Sequence, residues 1–154
     1  MAIEIERKFL VNDNWRSAPI QKSVVIKQAY LSSDPEKIVR IRTNGTVGFI
    51  TIKGLNKGLS RLEFEYEIPL ADANQIIDTL TSSSIQKIRH YITVQGKLWE
   101  VDEFLGDNEG LVVAEIELTS ESEHFAIPDW LGEEVSADKR YANSSLFTKP
   151  FKTW

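Results

Sequence analysis

In segment after segment of this 154-residue chain, apolar and charged side chains alternate one for one. The first instance is Ile3-Glu4-Ile5-Glu6-Arg7-Lys8-Phe9. An extended strand turns successive side chains to opposite faces, so such a segment has one apolar and one charged face. Glu4, Glu6 and Lys8 then share a face. Two carboxylates and an ammonium together suit a divalent cation and an anion that it bridges.

The same period recurs at residues 24–32, 37–43, 47–53, 60–69, 85–94, 97–105 and 111–119. Asn44-Gly45 and Gln95-Gly96 stand between consecutive segments and signal hairpins, hence antiparallel pairing. Residues 71–81 change period: Ala73, Ile76, Ile77 and Leu80 share a helical face. A short helix is expected from Ser120 to about Phe125, then a break at Pro128 and a loop rich in acids. A last short helix is expected over 141–148, stopped by Pro150. The expectation is one domain over residues 1–154, mainly β (α+β), with eight antiparallel strands and two or three short flanking helices. Eight such strands can close into a barrel, which removes exposed edges.

The charges sort by strand. Acids stand at Glu4/Glu6, Glu63/Glu65/Glu67, Glu100/Asp102 and Glu115/Glu117; bases stand at Arg40/Arg42, Lys53 and Lys87/Arg89. A sheet with one wet face gives alternation anywhere, but a merely solubilising surface would mix signs along each strand. Turned inward, these faces would make a basic wall for phosphate oxygens and an acidic wall for metal. Alternation alone does not say which face points inward. The net charge of −5 argues against general nucleic-acid binding. With no cysteine and two histidines, a metal here would be oxygen-ligated, hence a hard cation such as Mg²⁺, Mn²⁺ or Ca²⁺. No signal peptide or membrane span is evident, so a cytoplasmic protein is the default expectation.

Glu4-x-Glu6-x-Lys8 resembles the signature of the triphosphate tunnel metalloenzymes, or CYTH family. Further segments resemble that family in order: Gln28-Ala29-Tyr30-Leu31, Val39-Arg40-Ile41-Arg42, Thr51-Ile52-Lys53, Arg61 to Pro69, Lys87-Ile88-Arg89, Trp99 to Phe104, Ala114 to Leu118, and Glu134-Val135 followed by Asp138 to Asn143. The bacterial inorganic triphosphatase-like branch is the most similar. The resemblance implies an eight-stranded antiparallel barrel, a triphosphate tunnel, that binds a small-molecule triphosphate with Mg²⁺ or Mn²⁺. Lys8, Arg40, Arg42, Lys53, Lys87 and Arg89 would clamp phosphates. Glu4, Glu6, Glu63, Glu65, Glu115 and Glu117 would hold metal directly or through water, Glu6, Glu115 and Glu117 being favoured for direct contact and Asp102 supporting them. Lys87 and Tyr30 would handle protons, with Lys8 as a further catalytic group.

The implied reaction is hydrolysis of inorganic triphosphate to pyrophosphate and phosphate. The alternatives are a class IV-type adenylate cyclase, a nucleoside or thiamine triphosphatase, and a non-catalytic polyphosphate-binding module. A monomer or homodimer is expected, with no nucleic-acid or membrane partner. Two departures stand out: Ala29 where a glycine is usual, and His90 where a tyrosine is common. His90 is expected to pack or face solvent, and the four tryptophans to pack.

Overall fold

The structure, a computed structural model, describes residues 3–154. Its strands are β1 (Ile3–Val11), β2 (Ile20–Ser32), β3 (Lys37–Thr43), β4 (Gly48–Gly54), β5 (Ser60–Ile68), β6 (Ile85–Val94), β7 (Lys97–Phe104), β8 (Val112–Glu117) and β9 (Leu131–Glu134). Pairing runs β5-β4-β3-β2-β6-β7-β8-β1, and β1 also pairs with β5, so eight antiparallel strands form a ring. The first strand serves three neighbours. Ile3–Ile5 pair with β5, Glu6–Leu10 with β8, and Phe9 and Val11 with the extra strand β9.

The turns follow their residues. Gln95 and Gly96 both adopt positive φ (47° and 80°), the two-residue hairpin geometry whose twist matches its strands. At the other hairpin the loop has four residues, because Thr43 pairs with Gly48. There the Asn44 side chain accepts the N–H groups of Thr46 and Val47, each at 3.0 Å.

The polar faces point into the ring, which moves most apolar packing outside it. On one flank Phe9, Ile92, Trp99, Val101, Ala114 and Ile116 are covered by Trp15, from the turn Asp13–Ser17, and by Trp130. Trp99 meets Phe9, Phe125 and Trp130 edge-on at 5.7, 5.6 and 5.5 Å. His90 supports this flank: it stacks on Trp15 at 4.9 Å and bonds Ser23 and Glu103. On another flank helix α1 (Leu70–Leu80) lays Ala73 and Ile77 on Ala29 and Ile41. The outward side chains Ile52, Leu62, Phe64 and Tyr66 of β4 and β5 remain exposed.

One end of the ring is filled. Tyr30, Ile38, Ile85, Phe104 and Val113, inward by strand parity, pack with Val135, Tyr141 and Leu146 of the C-terminal segment. That segment forms helix α2 (Asn143–Thr148), shorter than the expected 141–148 because Lys139–Tyr141 makes a separate tight turn. Three of the tryptophans are buried, whereas Trp154 is 39% exposed.

Two expectations fail. Residues 120–125 are not helical, because Glu123 folds back to accept from the Thr119 backbone and hydroxyl and pairs with Lys97. Such local bonds compete with helix. The acid-rich loop contains β9, whose single apolar residue, Leu131, gives no alternation to detect. Among the described residues no helix is long and apolar enough to cross a membrane.

Gly48 lies where α1 comes nearest: an added Cβ would fall 2.4 Å from the Ala73 Cβ. Gly48→Ala should therefore overpack this seam and cost about 1–3 kcal/mol, read as a lower denaturation midpoint at unchanged slope.

Candidate functional site

The ring encloses a cavity of about 200 Å³ with an almost wholly polar lining. Period-two geometry brings Glu4, Glu6 and Lys8 into it from β1, Tyr30 from β2, Arg40 and Arg42 from β3, and Lys53 from β4. Glu63 and Glu65 enter from β5, Lys87 and Arg89 from β6, and Glu115 and Glu117 from β8. Asp102 stands apart. It is 1% exposed, does not line the cavity, and is engaged by two cations.

Ladder register decides which charges meet. Lys8 lies opposite Glu115 and pairs with it at 3.5 Å. Lys53 lies opposite Glu63 (3.2 Å) and also reaches Glu4 (3.3 Å). Arg40 reaches Glu65 at 3.3 Å and the Thr51 hydroxyl at 3.1 Å, while its buried Nε has no partner among the described residues. Arg89 binds Asp102 through Nε and Nη2 at 2.8 and 2.9 Å, and Glu100 through Nη1 at 3.0 Å. Lys87, fully buried, holds Asp102 at 2.8 Å and donates to the Asn143 side-chain amide oxygen, Oδ1, at 2.9 Å.

Arg42 is the exception among the basic groups named so far. Its Nε and Nη2 both donate to the neutral Gln28 amide oxygen, at 2.9 and 2.7 Å, and it makes no ion pair among the described residues. Gln28 in turn donates to the Tyr30 hydroxyl at 2.9 Å and to Asn143 at 3.3 Å. Burial, then the neighbouring Arg40 and Arg89, work against the Arg42 charge. An uncompensated cation held in a polar cavity is a receptor for an anion.

The acids show the complementary imbalance. Glu6 lies directly opposite Glu117, and neither side chain has a hydrogen-bond or ion-pair partner among the described residues. Burial, then Glu115, pushes the Glu6 carboxyl up to about 8; burial and Glu63 raise Glu4 to about 7. Glu117 is raised by burial and by Glu4. Glu115, although buried, is held down to about 2 chiefly by Lys8. Crowded carboxylates without cations fit a hard divalent ion. Among the described residues, however, no three acids converge into a closed cage, because Lys53 draws Glu4 aside and Lys8 draws Glu115. That donor set fits a cation that takes one or two carboxylates and completes its shell with water and phosphate oxygens.

Lys87 is lowered to about 7 by burial, with Asp102 opposing that shift and Arg89 and Arg42 adding to it. Asp102 stays ionised against its burial because Arg89 and Lys87 both bond to it.

Among the lining residues to which the sequence assigned no site role are Glu100, Arg61, Asn143 and Ser144. Glu100 belongs to an acidic face and was readable as such. Arg61 lies opposite Glu4 yet bonds the Gly54 carbonyl oxygen through Nε and Nη2, at 3.0 and 2.9 Å. Asn143 comes from the segment closing the ring; it ends the Asp138 to Asn143 motif, which carried no role for it.

A CYTH domain profile matches residues 2–149. A protein of Acetivibrio thermocellus named inorganic triphosphatase is 47% identical over 156 residues, covering all of this chain and 99% of that protein. A second protein of that name, from Nitrosomonas europaea, is 36% identical over 147 residues, covering 93% and 95%. The crystal structure of an inorganic triphosphatase superposes with a TM-score of 0.65 at 33% identity, covering 93% of this chain and 96% of the other. A candidate adenylate cyclase of Bacillus halodurans shares the fold at 16% identity, with a TM-score of 0.63.

The raised acids fix a pH dependence. Between their ordinary value near 4.5 and folded values of about 7 and 8, Glu4 and Glu6 bind more protons in the folded than in the unfolded chain. Below pH 7, where the lowered Lys87 amine does not yet contribute with the opposite sign, stability of the metal-free protein should then fall as pH rises. Thermal melts from pH 4.5 to 7 should show this decline, and Glu6→Gln should flatten it. A wild-type melting temperature that rises across the window would contradict the assignment.

Proposed function

The chain belongs to the CYTH domain family, and from that premise we propose that it hydrolyses inorganic triphosphate to pyrophosphate and phosphate inside the ring, with Mg²⁺ or Mn²⁺ bound. The observation that carries this reading is Arg42, a guanidinium aimed into an enclosed cavity with only a neutral amide for company. In this reading Arg42 and Arg40 grip phosphate oxygens from one side, and Lys8, Lys53 and Arg89 from the others. Their charges are fixed in place before substrate arrives, so stabilising charge on the transferring phosphoryl group costs little reorganisation.

Glu6 and Glu117, with Glu4 and Glu115 beside them, would hold the divalent ion, and Glu63 and Glu65 would support them through water. Bound there, the ion supplies charge neutralisation and acidifies a coordinated water. Asp102 does not reach the lumen; it anchors Lys87 and Arg89 from behind. Lys87 is the proton acceptor in this scheme. Two of its contacts are fixed by Asp102 and Asn143, and the residue borders the cavity in which the phosphates would lie. The Tyr30 hydroxyl, held by Gln28, orients the water or the amine.

The cyclase reading is weaker on this geometry. A cavity of about 200 Å³ is small beside the ~300–1,000 Å³ of organic-ligand pockets. Its aromatic lining residue, Tyr30, is already packed against Phe147 at 5.2 Å.

Phosphate release should therefore be strong from tripolyphosphate and weak from ATP and thiamine triphosphate. Glu6→Ala should abolish it, and Arg42→Gln should lower turnover about 10²–10³-fold. Cyclic nucleotide and pyrophosphate from ATP, or no release from any of the three, would refute the proposal. For the proton-handling pair, Lys87→Ala should cost about 10²–10⁴-fold and Tyr30→Phe should also slow turnover. Unchanged turnover in either protein would remove that residue's role.

A further inference from the structure

The wall of the ring is incomplete on one side of β1. Glu6 N–H still bonds the Leu59 carbonyl oxygen at 3.3 Å, on the β5 side. Two residues on, the Lys8 N–H bonds the Ser136 hydroxyl at 2.9 Å, and the Lys8 carbonyl oxygen accepts from Val135 at 2.8 Å, beside β9. Between Leu59 and Ser136 the edge of β1 passes from one neighbour to the other. A second cavity of about 80 Å³ lies at this handover. A single water needs about 10–15 Å³ measured this way, so the space holds a group with several oxygens.

This side cavity shares Glu6, Lys8, Arg61 and Ala142 with the main one, so the two spaces meet along the same walls. Its charges are unevenly satisfied. Lys8 is paired with Glu115, and Asp138 with Arg140 at 2.8 Å. Arg61 and Lys139 make no ion pair among the described residues. The Gly54 carbonyl oxygen fixes the Arg61 guanidinium through Nε and Nη2 and leaves Nη1 to donate elsewhere. Asn56 adds an amide from the facing loop. An oriented guanidinium, an ammonium and an amide around a small wet space bind phosphoryl oxygens.

We propose that this side opening is an anion port: a subsite for one phosphate group beyond the three held in the ring, bound by Arg61 and Lys139. The inference rests on the triphosphate reading of the main cavity. The port's occupant is either the fourth unit of a longer condensed phosphate or free orthophosphate, since both offer the same oxygens.

Calorimetric titration of the protein in EDTA, where turnover stops, separates these cases. Wild-type protein should bind tetrapolyphosphate about tenfold more tightly than tripolyphosphate, the equivalent of one additional charge-assisted contact. Lys139→Gln and Arg61→Gln should each bring that ratio close to one. Equal affinities in the wild type, or a preference that survives both substitutions, would overturn the port and leave the triphosphate reading standing. Failure of both polyphosphates to bind would overturn the port, while the metal-dependent triphosphate reading stands or falls separately on phosphate release with Mg²⁺ or Mn²⁺. Orthophosphate that weakens tetrapolyphosphate binding without affecting tripolyphosphate binding would place free phosphate in the port; no competition would assign it to the end of a longer chain.

Discussion

Asp102 accepts two hydrogen bonds from Arg89 and one from Lys87, all between buried groups. This knot sits in the wall of the ring, behind the cavity. Removing one partner of a buried charge network leaves the other charges unpaid and costs about 3–5 kcal/mol. The knot therefore fixes where β6 presents its two cations against the acid of β7, and the remaining lumen charges are arranged around it. Lys8, Lys53 and Arg40 each find an acid across a ladder or one strand away. What is left over, Arg42 on one side and Glu6 with Glu117 on the other, is the part of the lumen that asks for an anion and a cation.

A polar interior inverts the usual layering of a small domain. Apolar side chains that would fill a barrel's centre lie on its outside and need cover. The turn carrying Trp15, the segment carrying Phe125 and Trp130, and helix α1 each supply a part of it, while the C-terminal plug covers the inward apolar residues at one end. Helix α1 reaches only Ile50 and Ile68 on the outer face of β4 and β5, and Leu62, Phe64 and Tyr66 stay at the surface.

Period-two alternation made the strands legible, because a ring with chemically opposed faces must alternate along each of them. Gln95-Gly96 marked a true two-residue turn for the same local reason. The direction of the faces was not legible: Glu63-Phe64-Glu65 alternates identically whichever side is wet, and only ring closure decides. Residues 120–125 misled because Glu123 is spent on Thr119 and Lys97, and Glu121 on the Leu59 backbone N–H, bonds to distant or non-helical partners that no local pattern announces. Asn143 and Gln28 escaped because their importance lies in partners far along the chain. Lys87 is 56 residues from Asn143, and no pattern local to either position connects them. Arg61 was visible only as part of a motif; its freedom from acid partners is a property of the folded ring.

The Lys87–Asn143 hydrogen bond has a consequence for synthesis. Every strand of the ring precedes Asn143 in the chain, so all eight are synthesised before the last partner of Lys87 is made. Until α2 docks, the amine is held from one side and the end of the tunnel lacks its plug. Chemistry thus arrives after architecture. A chain stalled near residue 140 would carry the ring's strands without the geometry that positions its buried lysine.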